Sequence, residues 1–148
     1  MKKILIADDD GVFGSNLSEI LRREGFLVQS VGSTMDAIHI TTQESFDIIL
    51  LDMLMPGAAR EKTTTCLRRV NRAVKIISMT VCPASSYTYS TIKHQSDACI
   101  TKPFGIHNLL GAIDDVGQQS ENNMNRWPHD PSHKMIREMP TTVTAACS

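Results

Sequence analysis

The sequence predicts an α/β domain over residues 1–117, a doubly wound five-stranded parallel sheet with five helices. Three observations carry that prediction. Five short apolar runs alternate with longer segments of helical character, the order expected of repeated βαβ units. Runs such as Asp47-Ile48-Ile49-Leu50-Leu51-Asp52 are nearly all apolar rather than alternating, which suits strands covered by helices on both faces. Hydrophobic residues make up 41% of the 148 residues and charged residues 21%, which supports one globular core and argues against global disorder.

The first strand runs from Lys3 to Ala7 and is closed by Asp8, Asp9 and Asp10. Phe13, Leu17, Ile20 and Leu21 then recur at helical spacing, and Gly25 is a stop signal. The second strand is Leu27 to Val31, followed by a helix over Thr34 to Gln43 with Met35, Ala37 and Ile38 as a short apolar face. The third strand is Ile48 to Asp52. Its helix, Glu61 to Val70, offers Cys66, Leu67 and Val70, and Arg68 and Arg69 suit its C-terminal dipole. The fourth strand is Val74 to Met79, and the helix after it, Ser85 to Gln95, is the poorest, being rich in Ser, Thr and Tyr. A weak fifth strand, Cys99 to Thr101, leads into a last helix over Ile106 to Val116 with Leu109, Leu110, Ile113 and Val116 on one face. Beyond it, Asn, Gln, Ser, Pro and His dominate. Residues 118–148 therefore read as a polar C-terminal tail, flexible or with one short helix over His133 to Met139.

A formal net charge of -1 gives no electrostatic footprint for nucleic acid or for an anionic membrane. No stretch is apolar for long enough to span a bilayer. The three aspartates end the first apolar run too early for a signal peptide, so the expected location is the cytoplasm. Cys66, Cys82, Cys99 and Cys147 lack metal or redox spacing and are expected to be reduced thiols. His129 and His133, four apart, are too few for zinc.

In an open parallel sheet, ligands bind at the carboxyl ends of the strands, near the point where strand order reverses. Here the first strand ends in Asp8, Asp9 and Asp10, the third in Asp52 and the fourth in Thr80, and the fifth runs into Lys102-Pro103. Clustered carboxylates at the rim of an apolar sheet repel one another, and a hard cation such as Mg²⁺ relieves that repulsion. Lys102 and Thr80 suit the oxygens of an incoming phosphoryl group. Nucleophile, cation and positive charge are what phosphoryl transfer to a carboxylate needs. Asp10 reads as an ordinary cap of the first helix.

These residues resemble a known family. Ile4-Leu5-Ile6-Ala7-Asp8-Asp9-Asp10, Leu50-Leu51-Asp52-Met53-Leu54-Met55-Pro56-Gly57, Ile76-Ile77-Ser78-Met79-Thr80 and Thr101-Lys102-Pro103-Phe104 are similar to the response-regulator receiver domains, in that family's order and at about its spacing. The resemblance implies the flavodoxin-like receiver fold of a two-component signalling switch, with Asp52 as phosphoacceptor. It further implies Mg²⁺ held by Asp9, Asp8, Asp52 and the backbone carbonyl of Leu54, with Thr80 and Lys102 bonding the phosphoryl group. It implies a cis Lys102-Pro103 bond. The donor would be a histidine kinase or a histidine phosphotransfer protein, and the output an unidentified protein target. Such a domain is no enzyme, although it assists its own phosphorylation and dephosphorylation.

The sequence departs from the family pattern in several places. Cys99 stands where an aromatic residue is usual, so output would need another route, with Tyr87 or Tyr89 on the fourth helix as candidates. Arg60 replaces a usual glycine, and Ser96-Asp97 replaces a Gly-Ala pair. Leu54 and Cys82, two residues after Asp52 and Thr80, cannot orient an attacking water well. Val81 would narrow access for small-molecule donors.

Two rival readings stand beside this one. A receiver-like module that docks without phosphate is left open by Cys99 and Arg60. Asp8-Asp9-Asp10-Gly11-Val12 also looks like the loop of haloacid-dehalogenase-type phosphohydrolases, with Asp8 as nucleophile and Asp10 as acid/base. That second rival leaves the segment from Asp52 to Pro56 unexplained.

Overall fold

The structure, a computed structural model, describes residues 1–56 and 60–124, with residues 60, 61 and 120–124 described by their backbone alone. The elements follow in the order β1 (Lys3–Ala7), α1 (Gly11–Arg23), β2 (Leu27–Val31), α2 (Thr34–Gln43), β3 (Ile48–Asp52), α3 (Arg60–Val70), β4 (Lys75–Thr80), α4 (Tyr87–Gln95), β5 (Ala98–Thr101) and α5 (Ile106–Met124). All four strand pairings are parallel, and the sheet order is β2-β1-β3-β4-β5. The expected doubly wound sheet with five helices is therefore the observed one.

Successive strand residues point to opposite faces, and here both faces are covered. On one face Ile4, Ile6, Leu50, Ile77 and Met79 pack with Leu17 and Leu21 of α1 and Leu109, Ile113 and Val116 of α5. On the other, Leu5, Ala7, Ile49, Leu51 and Ile76 pack with Ala37, Leu67 and Ile92 from α2, α3 and α4. Two cores sharing one sheet explain why the central strand β3 is apolar from Ile48 to Leu51.

Helix ends differ from the sequence reading where local chemistry decides them. The side chain of Ser86 accepts from Tyr89 N, so α4 starts at Tyr87 rather than Ser85. Gly25 does close the first helix, with φ +94°. The last helix continues to Met124, beyond the expected Val116, because its apolar face ends before its backbone does. Polar residues such as Gln118 and Gln119 extend a helix without adding periodicity. The expected boundary at residue 117 thus falls inside α5. The expected helix over His133 to Met139, together with His129, Cys147 and the Gly57 of the Asp52 segment, lies outside the described residues.

The Ser96-Asp97 departure has a packing role at the sheet edge remote from the carboxylates. Asp97 Oδ2 accepts from Ile76 N at 2.8 Å and from Arg68 at 3.0 Å, tying α3 to β4 and β5. Ser96 Oγ meets the buried Ser78 Oγ at 2.5 Å.

Candidate functional site

Strand order brings β1 and β3 side by side, and β3 beside β4, so their carboxyl ends share one rim. Asp8, Asp9 and Asp52 meet there, each offering a carboxylate oxygen within 4.8 Å of the others. Asp8 and Asp52 are only 2% and 8% exposed, whereas Asp9 faces solvent. Thr80, 1% exposed, ends β4, and Lys102 follows β5 directly.

Each group has defined partners. Asp8 Oδ1 accepts from Asp10 N at 2.9 Å, and Asp8 Oδ2 takes the Lys102 ammonium at 2.5 Å. Asp52 Oδ1 accepts from Leu54 N at 3.0 Å, leaving Oδ2 at 3.8 Å from Lys102 Nζ. Thr80 Oγ1 accepts from Cys82 N at 3.1 Å, and the Thr80 carbonyl takes Lys102 N at 2.7 Å. The Lys102-Pro103 bond is cis, as expected. Asp10 Oδ1 accepts from Phe13 N at 3.0 Å and caps α1. That use matches its bland reading and takes it away from acid/base work.

Burial pushes the Asp52 carboxyl above the ordinary carboxylate value. The Leu54 N–H pulls it back, Asp8 and Asp9 add to the rise, and Lys102 opposes it. One ammonium facing three carboxylates leaves the site under-neutralised. A hard-oxygen donor set with uncompensated negative charge is what a small divalent cation binds.

The raised Asp52 value has a consequence for stability. Below the ordinary Asp value both folded and unfolded chains hold the proton. As pH rises through the window up to the folded value, the unfolded chain ionises first and folding stability is lost. Asp52→Asn removes this loss. In metal-free buffer near neutral pH the variant is expected to unfold about 3–5 °C higher than wild type, a gain of roughly 1 kcal/mol. The gap should close as pH falls below about 4. Thermal melts across pH check this, and a gap independent of pH would contradict it.

Around the rim, Leu54 is 49% exposed, Val81 is also exposed and Cys82 is half-buried. Cys99 packs against the second core, and the Tyr89 phenol donates to its carbonyl at 3.2 Å. Burial raises both the Tyr89 and the Cys99 values. Of the two tyrosines put forward, Tyr89 thus touches β5, while Tyr87 is exposed. Cys82 and Cys99 are free thiols as expected. Cys66, by contrast, is disulfide-bonded rather than the expected reduced thiol.

Sequence reasoning missed one neighbour of the site. Phe13 carries Lys102 Nζ 4.3 Å from its ring centroid, and its ring meets Phe104 edge-on at 6.0 Å. An apolar residue at helical spacing reads only as core, so no signal in the sequence separates Phe13 from Leu17.

Comparison with known proteins adds three findings. The family model described as "Response regulator receiver domain" matches residues 4–114. The transcriptional regulatory protein MalR of Bacillus subtilis is 29% identical over 82% of this chain and 52% of its own length. The CpxR homolog of Haemophilus influenzae is 28% identical, over 84% and 54% respectively, so the chain spans about half the length of these relatives. Among solved structures, a CheY-like receiver domain protein from Methanospirillum hungatei superposes with TM-score 0.75 at 25% identity, covering 83% of this chain and 98% of that one. TrrA from Thermotoga maritima, solved with Mg(2+)-BeF, gives TM-score 0.69 at 25% identity, covering 78% and 99%. The match overturns the phosphohydrolase reading of Asp8 and Asp10. A family match over residues 4–114, on a sheet of this order with acidic residues at this rim, establishes that the chain belongs to the response regulator receiver domains.

Proposed function

We propose that the chain is a phosphorylation-dependent switch of a two-component system, accepting a phosphoryl group on Asp52 from a histidine kinase or histidine phosphotransfer protein. The observation that carries this reading is the free edge of a buried nucleophile. Asp52 Oδ1 is held by Leu54 N, while Oδ2 faces Lys102 across 3.8 Å beside two further carboxylates. Asp8, Asp9, Asp52 and the Leu54 carbonyl would hold Mg²⁺. When bound, the ion supplies positive charge to the carboxylates and to the phosphoryl oxygens. The Mg(2+)-BeF complex of TrrA supports that assignment.

Asp52 Oδ2 attacks phosphorus, forming the acyl phosphate as the bond to the donor's imidazole nitrogen breaks. The imidazole leaves with the electron pair. Lys102 moves from Asp8 to an oxygen of the phosphoryl group. The Thr80 hydroxyl, already accepting from Cys82 N, has its own proton free to donate to another. The switch is the domain that closes with α5, which ends at Met124, and the site of action is the cytoplasm. No helix among the described residues is long and apolar enough to cross a membrane, in keeping with that placement. The output is a protein contact, and the chain acts as a switch rather than an enzyme.

The test is incubation with Mg²⁺ and a small phosphoryl donor such as phosphoramidate, read by intact mass. One phosphoryl group should be gained. Leu54 and Cys82 offer no carboxylate or amide to orient water, so the acyl phosphate is expected to last for hours after donor removal. A lifetime of seconds would contradict the role given to those two positions. No adduct with any donor, cognate kinase included, would favour a docking module instead.

A further inference from the structure

We propose that Phe13 is a positioning residue for Lys102, holding the ammonium over the acidic site through the face of its ring. The proposal rests on the reading of Asp52 as phosphoacceptor.

Lys102 has three attractions of different kinds. Asp8 Oδ2 lies at 2.5 Å, Asp52 Oδ2 at 3.8 Å, and the Phe13 ring centroid at 4.3 Å from the ammonium. The first two are carboxylates that a bound cation neutralises. The ring is different in that its quadrupole attracts the ammonium without competing for the metal or for a phosphoryl oxygen. Only 19% of the Lys102 side chain is exposed, so the contact is made largely out of water, where such attractions are strongest.

Phe13 itself is fixed on two sides. Its N–H donates to the Asp10 cap at 3.0 Å, which sets the first turn of α1. Its ring meets the Phe104 edge at 6.0 Å, and both rings pack against the first core. A rigid ring so placed limits where Lys102 goes when it leaves Asp8. The ammonium then needs only a short swing to reach an oxygen on Asp52, instead of extending into solvent.

The experiment compares wild type, Phe13→Leu and Phe13→Tyr by two readouts. The first is the proton shift of the Lys102 ε-methylene in the metal-free protein, which a ring face moves upfield. The second is the rate of phosphoryl uptake with Mg²⁺ across phosphoramidate concentrations. Phe13→Leu keeps an apolar side chain and should lose the upfield shift. Its uptake at saturating donor should fall about fivefold to tenfold with little change in the half-saturating concentration. Phe13→Tyr keeps the ring and should restore both. An ordinary Lys102 shift in wild type, or unchanged uptake in Phe13→Leu, would overturn the proposal. Equal slowing in both variants would also overturn it, since packing alone would then explain the effect. If wild type takes up no phosphoryl group from any donor, a cognate kinase included, the reading of Asp52 fails, and the methylene shift still decides whether Phe13 holds the ammonium.

Discussion

Asp52→Asn is expected to take up no measurable phosphoryl group from any donor, with the fold and the rim otherwise intact. Asparagine keeps the size of the side chain and an oxygen to accept from Leu54 N, as Asp52 Oδ1 does now at 3.0 Å. It lacks the anionic oxygen that attacks phosphorus, and no other carboxylate at the rim replaces it. Asp8 is held on both oxygens, by Asp10 N and by Lys102. Asp9 is exposed to solvent. Intact-mass measurement on variant and wild type decides the matter. An adduct on Asp52→Asn would move the acceptor elsewhere.

Lys102→Ala is expected to have two effects of opposite sign. Phosphoryl uptake should fall by about 10²–10³, the usual effect of deleting one pre-placed donor to developing charge. Mg²⁺ binding should strengthen by about severalfold, because the ammonium at 2.5 Å competes for Asp8 Oδ2. Calorimetric Mg²⁺ titration and the uptake time course read the two effects separately. Uptake within tenfold of wild type would remove Lys102 from the transfer step. Weaker Mg²⁺ binding would show that Lys102 orients Asp8 more than it blocks it.

How much of this was legible depends on the kind of signal. The strands β1, β2 and β3 begin and end where the sequence places them, most plainly in β3, whose apolar run Ile48 to Leu51 is bounded by Asp47 and Asp52. The polar residues at those ends were legible too. Asp8, Asp9, Asp52, Thr80 and Lys102 stand out against the apolar strands they terminate. The strand order converts that list into one site, by setting β3 between β1 and β4. The end of α5 was not legible, since a helix that continues past its apolar face leaves no periodicity. From the sequence, the Ser96-Asp97 departure reads only as the loss of a usual Gly-Ala pair. The structure instead shows Asp97 binding Arg68 and Ile76 N, a tertiary arrangement that no local pattern announces. Phe13 was hidden for a related reason. Its ring looks like core from its spacing, and its contact with Lys102 spans the distance from α1 to the end of β5.

The central claim is that Asp52 is the phosphoacceptor of a working switch. Its most direct test is Mg²⁺ with beryllofluoride, a mimic of the acyl phosphate, followed by amide NMR on wild type, Asp52→Asn and Asp8→Asn. Shifts are expected at Asp9, Thr80 and Lys102 that require Mg²⁺ and vanish in Asp52→Asn. Silence in wild type would contradict the claim and leave a module that docks without phosphate. A response that persists in Asp52→Asn and is lost in Asp8→Asn would place the chemistry on the first strand instead.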